Sequence, residues 1–182
     1  MSLIFILMAL IPIIAFAIAD AMAGLKTGVI LAIVLSILLF AANWAILGEF
    51  DPFSLIEPIF FIILGLASLK LKKSIYFKFQ PVVVNVLSAL LLAGFQIAGQ
   101  PFFVRWAPAI DKLMPSENQG IITSPPILAK LAVISNVLIY IFIIHAIWVA
   151  WVALKKSNWA WIAVRLAGYP LLLGSVALVM LL

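Results

Sequence analysis

Cysteine is absent from the 182 residues and histidine occurs once. Disulfides, thiolate metal sites and cysteine nucleophiles are therefore excluded, and the redox compartment is left unread. Charge is scarce as well: 11 Lys and Arg with six Asp and Glu make up 9% of the chain, against about a quarter in an ordinary soluble domain. That is too few ionisable groups to build a polar shell around even one soluble core. A Walker-type glycine loop, an HExxH zinc site, a serine-nucleophile elbow and a Cys/His cluster are also missing. The expectation is accordingly no metal, no cofactor and no enzyme. Asp20-Ala-Met-Ala-Gly24 puts an acid near glycines, but without the further acids that hold a metal and a phosphate together.

What the chain has is apolar surface: it is 68% hydrophobic with a mean hydropathy of +1.35. Lipid must be its solvent. Measured against the roughly 20 residues needed to cross a bilayer, apolar runs predict spans near 3–19, 26–47, 53–69, 81–104, 128–154 and 159–181. Each must be helical, because in hydrocarbon only a helix satisfies its backbone within one segment. The expected fold is thus an all-α, polytopic transmembrane bundle of about six spans, with 1–182 as a single integral membrane domain. The first run also resembles a secretory signal, ending in Ala17-Ile18-Ala19 before Asp20. It lacks a positive leading region and is followed at once by another apolar run, so a retained helix is expected.

The net charge of +5 does not imply nucleic acid, because the cations sit in short clusters between apolar runs, where they meet anionic headgroups. Asp20 and Lys26 flank the first connection, Glu49, Asp51 and Glu57 the second, and Lys70, Lys72, Lys73 and Lys78 the third. The last four are candidate lipid-headgroup contacts. The fifth is little more than Lys155-Lys156-Ser157-Asn158. With the amino terminus outside, the odd connections face the cytoplasm and hold most of the lysines, as the positive-inside rule prefers; Arg105, Lys112 and Lys130 lie opposite.

Only the fourth connection, about 105–127, is long. One reading opens a short interfacial helix at Pro108, with Trp106, Ile110 and Leu113 on one side and Arg105, Asp111 and Lys112 on the other. The other is an irregular proline-rich loop with a tryptophan anchor. Ser124 and Pro125 read as an N-cap and first-turn proline of the fifth span, and Asp51-Pro52 does the same for the third.

Polar side chains at bilayer depth are candidates for function, because each is costly without a partner. Asn85, Gln96, Asn136 and His145 form a candidate intramembrane polar site. Asn85 and Gln96, eleven residues apart, share one helical face, with Ser88 nearby; Ser36 with Asn43 and Asn136 with Tyr140 make similar stripes. Such stripes either line a cavity or hold helices together, and the second use is the commoner. Asp20 and Arg165 are a candidate charged pair, although Arg165 and Glu57 are near enough to span edges to snorkel. Small residues recur in Gly24-x3-Gly28-x3-Ala32, Ala89-x3-Ala93 with Gly94-x3-Ala98, and Ala160, Ala163, Ala167 and Gly168, which lets helices approach closely. Trp148, Trp151, Trp159 and Trp161 are expected to form an interfacial belt.

The order of several short motifs resembles the intracellular septation protein A family of bacterial inner-membrane proteins. They are Tyr76-Phe77-Lys78-Phe79, Gly99-Gln100-Pro101-Phe102, Lys130-Leu131 and Trp161-x3-Arg165-x2-Gly168, with Pro12 and Phe16 near the start. The resemblance implies a multi-pass inner-membrane protein with a non-catalytic role in envelope maintenance, septation and cell division, and brings no catalytic residue. Its partners would be membrane lipids and other envelope or division membrane proteins. A homo-oligomer is permitted by the small-residue stripes. The second connection, basic in familiar members, is acidic here and the third is unusually basic, so family pattern and local charge point to opposite orientations; the local charge is followed. The alternative is a small transporter or lipid-handling protein built around the central polar residues.

Overall fold

Backbone amides in hydrocarbon must bond within their own segment, and in the structure, a computed structural model describing residues 3–47, 56–112 and 114–182, they do so in helices. The expected acidic residues Glu49 and Asp51, the Asp51-Pro52 cap and Leu113 lie outside the described residues, as do the side chains of Asn43 and Glu57. The helices are α1 (Leu3–Ala23), α2 (Leu25–Leu47), α3 (Ile56–Leu71), the single turn α4 (Ile75–Lys78), α5 (Gln80–Ile97), α6 (Phe102–Asp111), α7 (Pro125–Lys155) and α8 (Asn158–Leu181). A 3₁₀ turn covers Ser116–Asn118.

Among the described residues four stretches are long and apolar enough to cross a membrane: Leu25–Ala42, Ile75–Ile97, Pro125–Lys155 and Asn158–Leu181. Ile11–Ala23 of α1 and Pro58–Leu71 of α3 are shorter apolar stretches among those residues. The expectation of about six spans is therefore approximate. One boundary departs clearly from expectation. The run 81–104 is not one helix, because α5 ends at Ile97 and Gly99 adopts φ +71°. After Pro101 the chain starts α6, so 102–104 belong to the amphipathic helix and Pro108 lies inside it rather than at its start. Pro101 supplies the opening: its carbonyl accepts from Arg105 N at 3.0 Å.

The described residues group into two compact units, one drawn from 1–80 with Ala150–Ala163, the other Pro81–Val149 with Val164–Leu182. In the first, α1 and α2 meet at very close range. Gly24, at φ +83°, breaks the helix in a left-handed conformation that favours glycine, and α2 turns back along α1. A Cβ on Gly28 would stand 2.9 Å from the Phe16 carbonyl oxygen and 3.0 Å from the Asp20 nitrogen. These are backbone atoms, which cannot swing aside. Ala32, one turn on, is fully buried, so the stripe is used from Gly28 while Gly24 serves the turn.

The end of α3 is tied by Lys73 N to the Ser68 carbonyl and Lys72 N to the Leu69 carbonyl, a Schellman arrangement with Lys72 in the left-handed position usually held by glycine. In the second unit Leu92, Ile134 and Leu138 form a buried cluster, against which Phe102, Phe103, Leu131 and Val176 pack. α7 begins at Pro125 as expected. The Ser124 carbonyl accepts from Leu128 N, but its hydroxyl donates back to the Ile121 carbonyl at 2.6 Å instead of capping.

Replacing Gly28 by Val is expected to cost about 1–3 kcal/mol by overpacking. Thermal unfolding in mixed micelles should show a lowered midpoint; an unchanged midpoint would mean that α1 and α2 do not meet at this residue.

Candidate functional site

The single histidine lies in α7 with 6% of its surface exposed, and Asn85 of α5 with 8%. Asn85 Nδ2 is 2.9 Å from His145 Nδ1, and His145 Nε2 is 3.0 Å from the Val164 carbonyl oxygen on α8. A carbonyl only accepts, so Nε2 carries the proton and donates, while Nδ1 accepts from the Asn85 amide. One imidazole thus links three helices. Helix α8 can offer that carbonyl because of Gly168, one turn beyond Val164: a Cβ there would fall 2.5 Å from His145 Cε1 and 2.8 Å from Nε2. The ring therefore occupies the space that any larger residue at 168 would fill.

Of the candidate polar residues Asn85, Gln96, Asn136 and His145, the structure joins Asn85 to His145. Asn136 faces outward from α7, and Gln96 is half-buried, three turns from Asn85 along α5, with its Oε1 buried and without a partner among the described residues. A hollow of about 180 Å³ beside α5 and α7 is lined by apolar side chains such as Val86, Ala89, Ile139 and Ile143. Among the described residues no group of three or more His, Asp or Glu side chains is placed to hold a metal.

A second set of contacts lies in the first unit. Phe16 stacks on Phe77 with centroids 4.2 Å apart and meets Trp161 edge-on at 6.1 Å, while Phe61 lies 5.3 Å from Phe77. Each such pair is worth about 0.5–1.5 kcal/mol beyond the area it buries. Trp161 Nε1 donates to the Lys78 carbonyl at 3.0 Å, and Phe77 N donates to Ser68 Oγ at 2.7 Å. Trp161 is completely buried, which corrects the expectation that it belongs to an interfacial belt; Trp148, Trp151 and Trp159 are exposed. The belt residue Trp151 has Lys156 Nζ at 5.5 Å from its ring.

Of the candidate headgroup lysines, Lys70, Lys72 and Lys73 are exposed and Lys78 is buried. Lys78 sits where α4 runs on towards α5, inside the apolar stretch, so it is not a surface cation. Asp20 Oδ2 accepts from Asn158 Nδ2 at 2.8 Å. Arg165 is also buried and belongs to the other unit. Lys130 Nζ donates to the Met180 carbonyl at 2.7 Å, placing a cation where the end of α8 has unpaired carbonyls.

The motif residues of the sequence are thus mostly contact residues: Phe16, Phe77, Trp161, Lys130 and Gly168 each close a specific interhelical approach. The sequence profile of the family described as intracellular septation protein A matches residues 4–182. The chain belongs to that family. Neither a curated protein nor a solved structure matches it. The partners of Ser68 and Asn158 and the steric role of Gly168 are not legible in the sequence. Ser68 and Asn158 were visible as polar residues at the edges of apolar runs, but nothing local named their partners.

Because Gly168 and His145 compete for one space, Gly168→Ala is expected to destabilise by about 1–3 kcal/mol in the native chain and to be nearly neutral when His145 is already Ala. Unfolding of both singles and the double in mixed micelles measures that coupling. Additive effects would show that the two residues do not touch.

Proposed function

We propose that the chain is a multi-pass protein of the bacterial inner membrane with a non-catalytic role in envelope maintenance and in septation during cell division. The observation carrying this reading is the family match over residues 4–182. The form of the molecule supports it: apolar helices long enough to span, and polar groups spent pairwise on helix contacts such as Asn85 to His145 and Asn158 to Asp20. A protein of this kind acts by what its surfaces hold. Lys70, Lys72 and Lys73, exposed at the end of α3, are proposed to face anionic headgroups on the cytoplasmic side, and other envelope or division membrane proteins are its proposed partners.

The transporter alternative draws no support from the placement of Asn136 and Gln96, because it needs the polar side chains to converge.

The test is deletion in a bacterium that encodes the chain, scored by cell length, septum placement and detergent sensitivity. Longer cells with misplaced or delayed septa and a weakened envelope are expected, restored by the wild-type chain. His145→Gln, which still donates and accepts, should restore in proportion to the folded protein it yields. Deletion cells indistinguishable from the parent would contradict the role, and a fully folded, membrane-inserted His145→Gln protein without activity would contradict its non-catalytic character.

A further inference from the structure

Along α5, Leu90, Gly94 and Ala98 recur every fourth residue on one face, with Leu91 and Phe95 beside them. They line an open groove of about 330 Å³ that ends at Arg105 of α6. From Leu90 to Ala98 the groove runs about 12 Å along the helix at 1.5 Å per residue. Beyond the helix's own backbone and the two neighbouring residues, nothing among the described residues lies within 4 Å of where a Cβ on Gly94 would stand, so no other described element covers the floor.

Arg105 is exposed, yet its position is fixed. Its Nη1 donates to Gln100 Oε1 at 2.9 Å, and its guanidinium stands 5.5 Å from the centroid of the Phe95 ring. Both partners are neutral, so they orient the guanidinium without cancelling its charge. The fork of a guanidinium matches the oxygens of a phosphate. The charge lies just past the end of a spanning helix, on an amphipathic helix suited to the interface, and the apolar groove descends from it towards the bilayer interior. That sequence of chemistry, anion at the interface and hydrocarbon below, is the profile of one kind of molecule.

We infer that the face of α5 and α6 formed by Leu90, Leu91, Gly94, Phe95, Ala98 and Arg105 is a specific glycerophospholipid site, with the lipid phosphate on Arg105 and one acyl chain laid in the groove over Gly94. The site is separate from the lysines at the end of α3, and it rests on the bilayer placement of the chain and not on a role in septation. A free anion lacks the chain that fills the groove, and a neutral diglyceride lacks the phosphate.

The full-length protein, delipidated in detergent and examined by native mass spectrometry, tests this with phosphatidylglycerol, diacylglycerol and inorganic phosphate offered separately at low molar excess. The wild type should retain phosphatidylglycerol and neither of the other two. Arg105→Gln removes the charge and should lower occupancy by about tenfold or more, as expected for loss of a charge-assisted contact. Arg105→Lys should recover part of it. Gly94→Leu fills the groove where no protein atom is near, so helicity is kept while occupancy falls. Lys112→Gln, which removes an exposed cation outside the groove, should leave occupancy unchanged. Equal retention by wild type, Arg105→Gln and Gly94→Leu overturns the site, as does an equal loss with Lys112→Gln. Retention of phosphate alone overturns the role of the groove, and a dimer mass abolished by Gly94→Leu assigns the groove to a second copy of the chain instead.

Discussion

A bilayer offers no water to a stranded donor or acceptor, and that constraint governs each polar residue in this chain. Backbone groups meet it by forming helices. Side chains must meet it by finding one another, and with 9% charged residues and one histidine there are few to distribute. The imidazole of His145 is the clearest case: both ring nitrogens are within hydrogen-bond distance, one of an amide on α5 and the other of a backbone carbonyl on α8. Interhelical hydrogen bonds of this kind are worth about 1 kcal/mol each in membrane proteins, so their value lies as much in fixing which helix faces which as in stability.

The second requirement is close approach, since lipid is as apolar as leucine and burial alone does not drive membrane helices together. Gly28 and Gly168 meet it by different means. At Gly28 two backbones come together directly, α2 against the Phe16 carbonyl of α1. At Gly168 the space is lent to a polar ring. Ser68 does a related service for α4: its hydroxyl accepts from Phe77 N, one of the amides a single helical turn leaves without an internal partner.

Hydropathy made the fold class legible because long apolar runs have one structural solution in lipid. It marked both ends of α8 to within a residue of the observed helix, while the start of α7 at Pro125 was marked by the Ser124-Pro125 pair. It failed at residues 97–104, where hydropathy stays high across Gly99 and Pro101 although the backbone turns there. The candidate site was half legible. Asn85 and His145 stood out as costly groups, but they lie 60 residues apart, and no local pattern pairs them. Asn136 looked equivalent in sequence and faces outward, because a helical face can be inferred from spacing while the direction of the neighbouring helix cannot. Trp161 was read by its nearness to a basic connection, whereas its indole is drawn inward by the Lys78 carbonyl.

Asn85, His145 and the Val164 carbonyl satisfy one another across three helices, an arrangement that needs no water. A chain without native cysteine allows a direct measurement. Asn85→Cys places a single thiol at the contact, and labelling by a membrane-impermeant thiol reagent offered to both faces of opened native membranes requires water and a thiolate there. No labelling is expected until the protein is denatured, while a cysteine at exposed Lys73 labels at once. Prompt labelling at residue 85 in intact, folded protein would contradict that arrangement and put an aqueous site in its place.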